Sequence, residues 1–286
     1  MSVGLGLPIG DPAQLLSWAR RAEATPFTTV ALLDRLVFHN PEPLITLATL
    51  AGATSRIRLQ TEVLLAPLHR TALLAKQAAT LDLLSGSRFT LGIGIGGRDD
   101  DYLAAGVDLR TRGRRLDAQM ATLRRLWSGE PLSEKVGPIG PAPARPGGPE
   151  VLFGGFVPAA IERVARCGDG FLGAALPPAH MDGMFRAVEE AWSRAGRTGR
   201  PRLLAQVNVA LGPPPVVDRA RRELHAYYQP SSHTGHVVNG LLTTGAQIRA
   251  AVTAYRAIGA DEVMLYCWSP GPDQVERLAD AVFGTE

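Results

Sequence analysis

The chain has 286 residues, 45% of them hydrophobic and 20% charged, with a formal net charge of +3. That length allows burial of roughly three quarters of the unfolded surface, and the balance is globular rather than disordered. The small, dispersed positive charge is carried almost wholly by arginine, Lys76 and Lys135 being the only lysines, which argues against nucleic-acid binding; no apolar run reaches the roughly 18 residues of a membrane span.

In chain order, short apolar runs alternate with longer helical patterns. "VGLGL" (3–7) reads as a strand, followed by a helix over 11–24 that opens on Asp11-Pro12, a good cap and first-turn pair. "TTVALL" (28–33) is a strand and 42–53 a helix; "RIRLQTEVLL" (56–65) is a strand and 71–84 a helix. "RFTLGIGIG" (88–96) is a fourth strand, with its helix near 111–127, and the Pro/Gly-rich stretch 136–149 then separates the halves. The second half gives strands at 150–155, 170–175, 202–211 and 261–268, with helices at 158–167, 178–195, 244–258 and 272–283.

Eight strands, each followed by a helix, demand a parallel sheet, and at this length fit a closed (β/α)8 barrel, a TIM barrel, better than an open sheet. We expect one barrel domain over 1–286, with a helical lid between strand 7 and its helix at 212–243, where 216–228 has helical character. Cys167 and Cys267 form no CxxC pair and "MSVGLGLPIGDP" is no secretory segment, so a reduced, cytoplasmic protein is expected.

"LGIGIGG" (91–97) matches the G-x-G-x-x-G spacing of dinucleotide loops. Such a loop must open a helix whose N-terminus faces phosphate, whereas "RDDDY" follows here and the next clear helix begins more than ten residues later. As a barrel strand, the segment turns Phe89, Leu91, Ile93 and Ile95 to the helices and Thr90, Gly92, Gly94 and Gly96 to the interior; Gly4 and Gly6 repeat the pattern. Two strands stripped of inward side chains imply either unusual inner packing or room for a flat ligand.

Segments 47–59, 73–97, 112–131 and 151–173, above all the serine-glycine turn into the glycine strand, resemble the bacterial luciferase-like flavin oxidoreductases. The likeness runs well over 3–195 and more loosely over 244–284. It implies a barrel that binds FMN, or in a sister group the deazaflavin coenzyme F420, at its C-terminal mouth. Carried onto this chain, it puts the ring beside Leu7, Pro8, Asp34, Thr61, Glu62, Val63, Gly94, Ile95, Gly96 and Gly97. It puts the phosphate at Gly154, Gly155 and Phe156, a strand end next to a helix N-terminus, with Arg112 as a candidate counter-charge. Many relatives carry Asp-His after the second strand; here it is Asp34-Arg35, and His39 cannot be assumed to substitute.

Asp34, Arg35 and Glu62 are the catalytic candidates, and Gln206, Asn208, His233 and His236 the candidates for substrate contact. "HTGH" is a weak metal signal and no metal site is expected; Asp99, Asp100 and Asp101 read as an exposed acidic turn. The scarcity of acids, bases and nucleophiles suits a cofactor-led reaction. The expected function is an FMN- and oxygen-dependent monooxygenase acting on a small organic substrate, with reduced flavin from a separate reductase. Alternatives are a coenzyme F420-dependent reductase or dehydrogenase, a non-catalytic flavin-binding relative, and a cofactor-free lyase or hydrolase. The helix "LITLATLAG" (44–52), apolar nearly all round, leads us to expect a homodimer.

Overall fold

The computed structural model describes residues 1–284. Eight parallel strands close a barrel: β1 (Ser2–Gly6), β2 (Thr29–Leu32), β3 (Arg58–Thr61), β4 (Phe89–Gly94), β5 (Glu150–Gly154), β6 (Gly170–Leu172), β7 (Arg202–Val209) and β8 (Glu262–Cys267). Each pairs with its neighbours in sequence, and β8 returns to β1 with Gly4 opposite Met264 and Gly6 opposite Tyr266. The surrounding helices are α1 (Pro12–Glu23), α2 (Pro43–Ala53), α3 (Thr71–Leu84), α5 (Arg112–Trp127), α6 (Pro158–Cys167), α7 (Pro178–Arg194), α10 (Gly245–Ala257) and α11 (Gln274–Phe283). Local chemistry sets their ends: Asp11 accepts the Ala13 amide at 2.9 Å to cap α1, and Thr244 with Gln247 forms a capping box on α10.

The period of two sorts the strand side chains as expected. Leu5, Phe89, Leu91, Ile93, Val151, Val263 and Leu265 pack in the layer between barrel and helices. Leu152, Leu172, Leu204, Met264 and Tyr266 fill the inside. The inward glycines do not leave a slot there. A Cβ on Gly4 or Gly6 would collide with Met264 or Tyr266, one on Gly94 with Val63, and one on Gly92 with both Leu172 and the Thr61 carbonyl. Of the two readings open for these glycines, inner packing is the one realised.

Four other expectations change. The third strand is not continuous over 56–65: β3 stops at Thr61, the Glu62–Val63 peptide is cis, and pairing resumes only at Leu64–Leu65 beside Ile93 and Gly94. The acidic run is no exposed turn; Asp99–Ala104 forms a short helix, α4, directly after the glycine strand, and Asp101 is buried. The helix dipole favours the three acids in that first turn, and their carboxylates repel a phosphate there. The connector carries part of a small hairpin, Pro131–Ser133 with Val136–Pro138, and β6 stops at Leu172 instead of running to 175. The expected lid is present as α8 (Pro214–Tyr228) and α9 (Thr234–Asn239).

The N-terminal end of the barrel is closed by charge. Glu150 Oε2 accepts from Arg58, Arg202 and Thr90 at 2.7 Å each, and Arg202 also pairs with the buried Glu262. Burial alone would raise the Glu150 carboxyl, but the Arg202 and Arg58 guanidiniums outweigh it and hold it below its ordinary range. A depressed carboxyl stabilises the fold above its unfolded value near 4.5 and loses that contribution as pH falls. We predict that Glu150→Gln, which leaves Arg58 without its carboxylate and Arg202 with Glu262 alone, costs about 2–3 kcal/mol in urea unfolding at pH 7 and less at pH 4. A variant as stable as the parent at pH 7 would contradict this account of the barrel floor.

Candidate active site

Above the charged floor and the apolar middle, the inside of the barrel turns polar towards its C-terminal mouth. Gln60 ends the inward row of β3, and its amide donates to Glu62 Oε2 at 2.9 Å. From β7, Gln206 and Asn208 point inward, and from β8 come Tyr266 and the following Trp268, whose indole N–H donates to Asn208 Oδ1 at 2.8 Å. Five buried polar atoms of this group have no partner among the described residues: Gln60 Oε1, Glu62 Oε1, Gln206 Nε2, Asn208 Nδ2 and Tyr266 Oη. Buried polar groups are rarely left unpaired, so this concentration at a barrel mouth marks a place built for a polar ligand or water. Burial pushes the Glu62 carboxyl well above its ordinary value, only partly offset by the Gln60 amide, and so favours its protonated form. The Tyr266 phenol is also driven up by burial, with Glu62, Tyr227 and Tyr228 adding to the effect.

Asp34 follows β2 and accepts the Leu65 amide at 2.8 Å, tying two strand ends across the mouth. Burial raises its carboxyl to about 6 despite that hydrogen bond.

Arg35 has another task. Its Nε donates to Asp101 Oδ2 at 2.6 Å, and its terminal nitrogens donate to the Tyr227 carbonyl at 3.0 Å and the Val37 carbonyl at 3.2 Å. The guanidinium also lies over the Phe38 and Tyr227 rings. Asp101 Oδ1 in turn accepts the Leu36 and Val37 amides at 3.0 and 2.7 Å. Arg98 donates to the Gln229 carbonyl. This clamp holds the C-terminal end of α8 over the mouth, where Tyr227 meets Trp268 and Tyr228 with ring centroids 5.5 and 5.1 Å apart.

The side of the mouth formed by β3, β4 and β5 is more open. Gly97 is exposed, a Cβ there would meet nothing within 4 Å, and Phe156 and Val157 stand in solvent. Gly155 has φ +148°, a conformation that favours glycine, and a Cβ there would strike Ala160. No side chain caps α6; Pro158 has no N–H and the Ala160 amide donates to the Val157 carbonyl at 2.8 Å, so the Ala159 amide and the helix dipole are what the first turn offers an anion. The buried Nε of Arg112 has no partner among the described residues. These features fit a flavin phosphate at the Gly154–Phe156 end. The unpaired amides, phenol and carboxyl of the chamber fit the alternating donors and acceptors of a flavin ring edge.

The structure therefore gathers Glu62, Gln206 and Asn208, with Asp34 close by at the mouth. It corrects several assignments. Arg35 is not free for catalysis, because protein groups occupy its donors. The Leu7 side chain packs in the barrel–helix layer rather than at the mouth, and the Thr61 hydroxyl donates to the Gly92 carbonyl at 2.7 Å. His233 and His236 sit exposed at and within α9, apart from the polar chamber. Gln60, Tyr266 and Trp268 went unnoticed in the sequence, although inward alternation with Glu62 and Met264 marks them. Among the described residues, no group of three or more His, Cys, Asp or Glu is placed to hold a metal ion.

The chain matches the family model described as luciferase-like monooxygenase over residues 2–264. It is 31% identical over 211 residues to an uncharacterised protein of Mycobacterium tuberculosis H37Rv, covering 71% of this chain and 73% of that one. It is 33% identical over 92 residues to the oxygenase component of a flavin-dependent trigonelline monooxygenase from Acinetobacter baylyi, a stretch of 32% of this chain and 26% of the relative. A solved F420-dependent secondary alcohol dehydrogenase, in complex with an F420-acetone adduct, superposes with a TM-score of 0.82 at 17% identity over 100% of both chains, a likeness of fold.

Removing the clamp tests its role. Arg35→Met leaves Asp101 buried without its cation, and we predict a loss of about 3 kcal/mol together with faster proteolytic cleavage within 212–243. Unchanged cleavage of the lid would show that the clamp does not hold it.

Proposed function

The chain belongs to the luciferase-like monooxygenase family, and from that premise we propose that it is an FMN-dependent monooxygenase acting on a small organic substrate. The observation that carries this reading is the set of unpartnered buried polar atoms at the mouth, beside an open glycine-rich rim. Bound reduced FMN would supply the electrons and the activation of molecular oxygen, one oxygen atom going to the substrate and the other leaving as water. The protein's part is binding, orientation and exclusion of solvent. Gly154, Gly155 and the α6 N-terminus hold the phosphate, with Arg112 as counter-charge. Gln206 Nε2 and Asn208 Nδ2 offer donors, and Glu62 holds a proton in the chamber. Tyr227, Tyr228 and Trp268 keep water from the reacting face.

A separate reductase supplies the reduced flavin in this reading, as the naming of the Acinetobacter relative as an oxygenase component supports for that protein. The second reading is a coenzyme F420-dependent reductase or dehydrogenase, favoured by the buried Glu62 carboxyl, pushed towards its protonated form and so suited to accompany hydride transfer. The thiols of Cys167 and the buried Cys267 are unpaired, which suits a reducing cytoplasm.

We also propose a homodimer through α2 and α3. Leu44, Leu47 and Leu50 of α2 face the core, whereas Ile45, Leu73, Leu83 and Leu84 leave an apolar outer face across the two adjacent helices.

Two measurements test these proposals. Titration of the purified chain should show FMN binding that weakens at least tenfold in Gly155→Val and falls in Arg112→Gln; tight binding of coenzyme F420 alone would overturn the monooxygenase reading. Light scattering at micromolar concentration should give twice the chain mass for the parent and the chain mass for Ile45→Glu/Leu84→Glu. A monomeric parent would contradict the dimer.

A further inference from the structure

A second opening lies on the opposite side of the mouth from the glycine-rich rim. It is a cleft of about 350 Å³ between the segment after β1 and the lid helix α8. Its walls come from the C-terminal ends of the strands and from the lid: Ile9 after β1, His39 after β2, Trp268 and Pro270 after β8, and Arg219 and Glu223 on α8. Its size is at the small end of ligand pockets, enough for a one-ring molecule.

The charges in this cleft are unevenly satisfied. Glu223 Oε2 lies 3.6 Å from His39 Nε2, and the Asp11 carboxylate beside them is engaged by the Ala13 amide at 2.9 Å. Arg219, exposed on α8, has no ion pair or side-chain hydrogen bond among the described residues. A guanidinium with its donors free, facing apolar walls, matches a carboxylate bidentately. The cleft also touches the chamber: Trp268 lines it and donates inward to Asn208, whose Nδ2 is unpartnered.

We infer that this cleft is the port and outer subsite for the substrate, and that Arg219 selects small organic acids by holding their carboxylate. The inference rests on the monooxygenase reading for its catalytic meaning, but the binding site stands on its own residues. A bound acid lies with its carboxylate at Arg219 and its apolar body against Trp268 and Pro270, pointing towards the chamber.

The test uses the full chain, with benzoate and its neutral isostere benzamide as probes, by calorimetry and by tryptophan fluorescence. Benzoate should bind at least tenfold more tightly than benzamide and quench fluorescence, and Trp268→Phe should remove the quenching. Arg219→Gln should bring benzoate to the level of benzamide, with Arg219→Lys in between. Equal binding of the two probes, no benzoate binding, or an unchanged Arg219→Gln overturns the inference. FMN titration of the same samples separates the two claims. Arg219-dependent benzoate binding without FMN binding supports the acid site and sinks the monooxygenase reading. FMN binding without discrimination between the probes does the reverse.

Discussion

The barrel can be filled only because two of its strands are bare where their neighbours are large. Gly4 and Gly6 stand directly opposite Met264 and Tyr266, and the thioether and phenol ring occupy the space a Cβ would need. Gly92 does the same for Leu172 and for the Thr61 carbonyl. Protein interiors are close-packed, so volume given up on β1 and β4 is volume available to β8 and β6. The consequence reaches the mouth: Tyr266 can turn inward and bring its hydroxyl among Glu62, Gln206 and Asn208 because Gly6 lets it.

From floor to mouth the inside passes from an Arg–Glu network through an apolar middle to a chamber of unpaired polar atoms. The floor closes the barrel, the middle packs it, and the chamber retains unsatisfied chemistry. The lid is held above by a buried clamp in which Arg35 joins the end of β2, α4 and α8. The residue following Asp34 thus serves closure. Glu62 stands where β3 breaks, and burial drives its carboxyl upward.

Much of this was legible in the sequence, for physical reasons. Strands and helices buried on one side announce themselves by period, so the eight β/α units, the inward glycines and the α8 lid were readable. Polar residues at strand ends picked out Glu62, Gln206 and Asn208. What failed depended on partners distant in sequence. The bare strands suggested a ligand slot because nothing local reveals that Met264 and Tyr266 fill it. "RDDDY" looked like an exposed acidic turn because the cation that buries Asp101 is Arg35, 66 residues away. His233 and His236 drew attention by residue type, yet the fold leaves them exposed on α9.

The proposed function divides the mouth into a glycine rim that would bind the anion and a polar chamber, the two together holding one flavin. Hydrogen–deuterium exchange with and without FMN tests this most directly. The account predicts slowed exchange at amides of Gly94–Gly97, Gly154–Phe156 and the first turn of α6, with the barrel floor unchanged. Exchange at both glycine segments that does not respond to saturating FMN would contradict it.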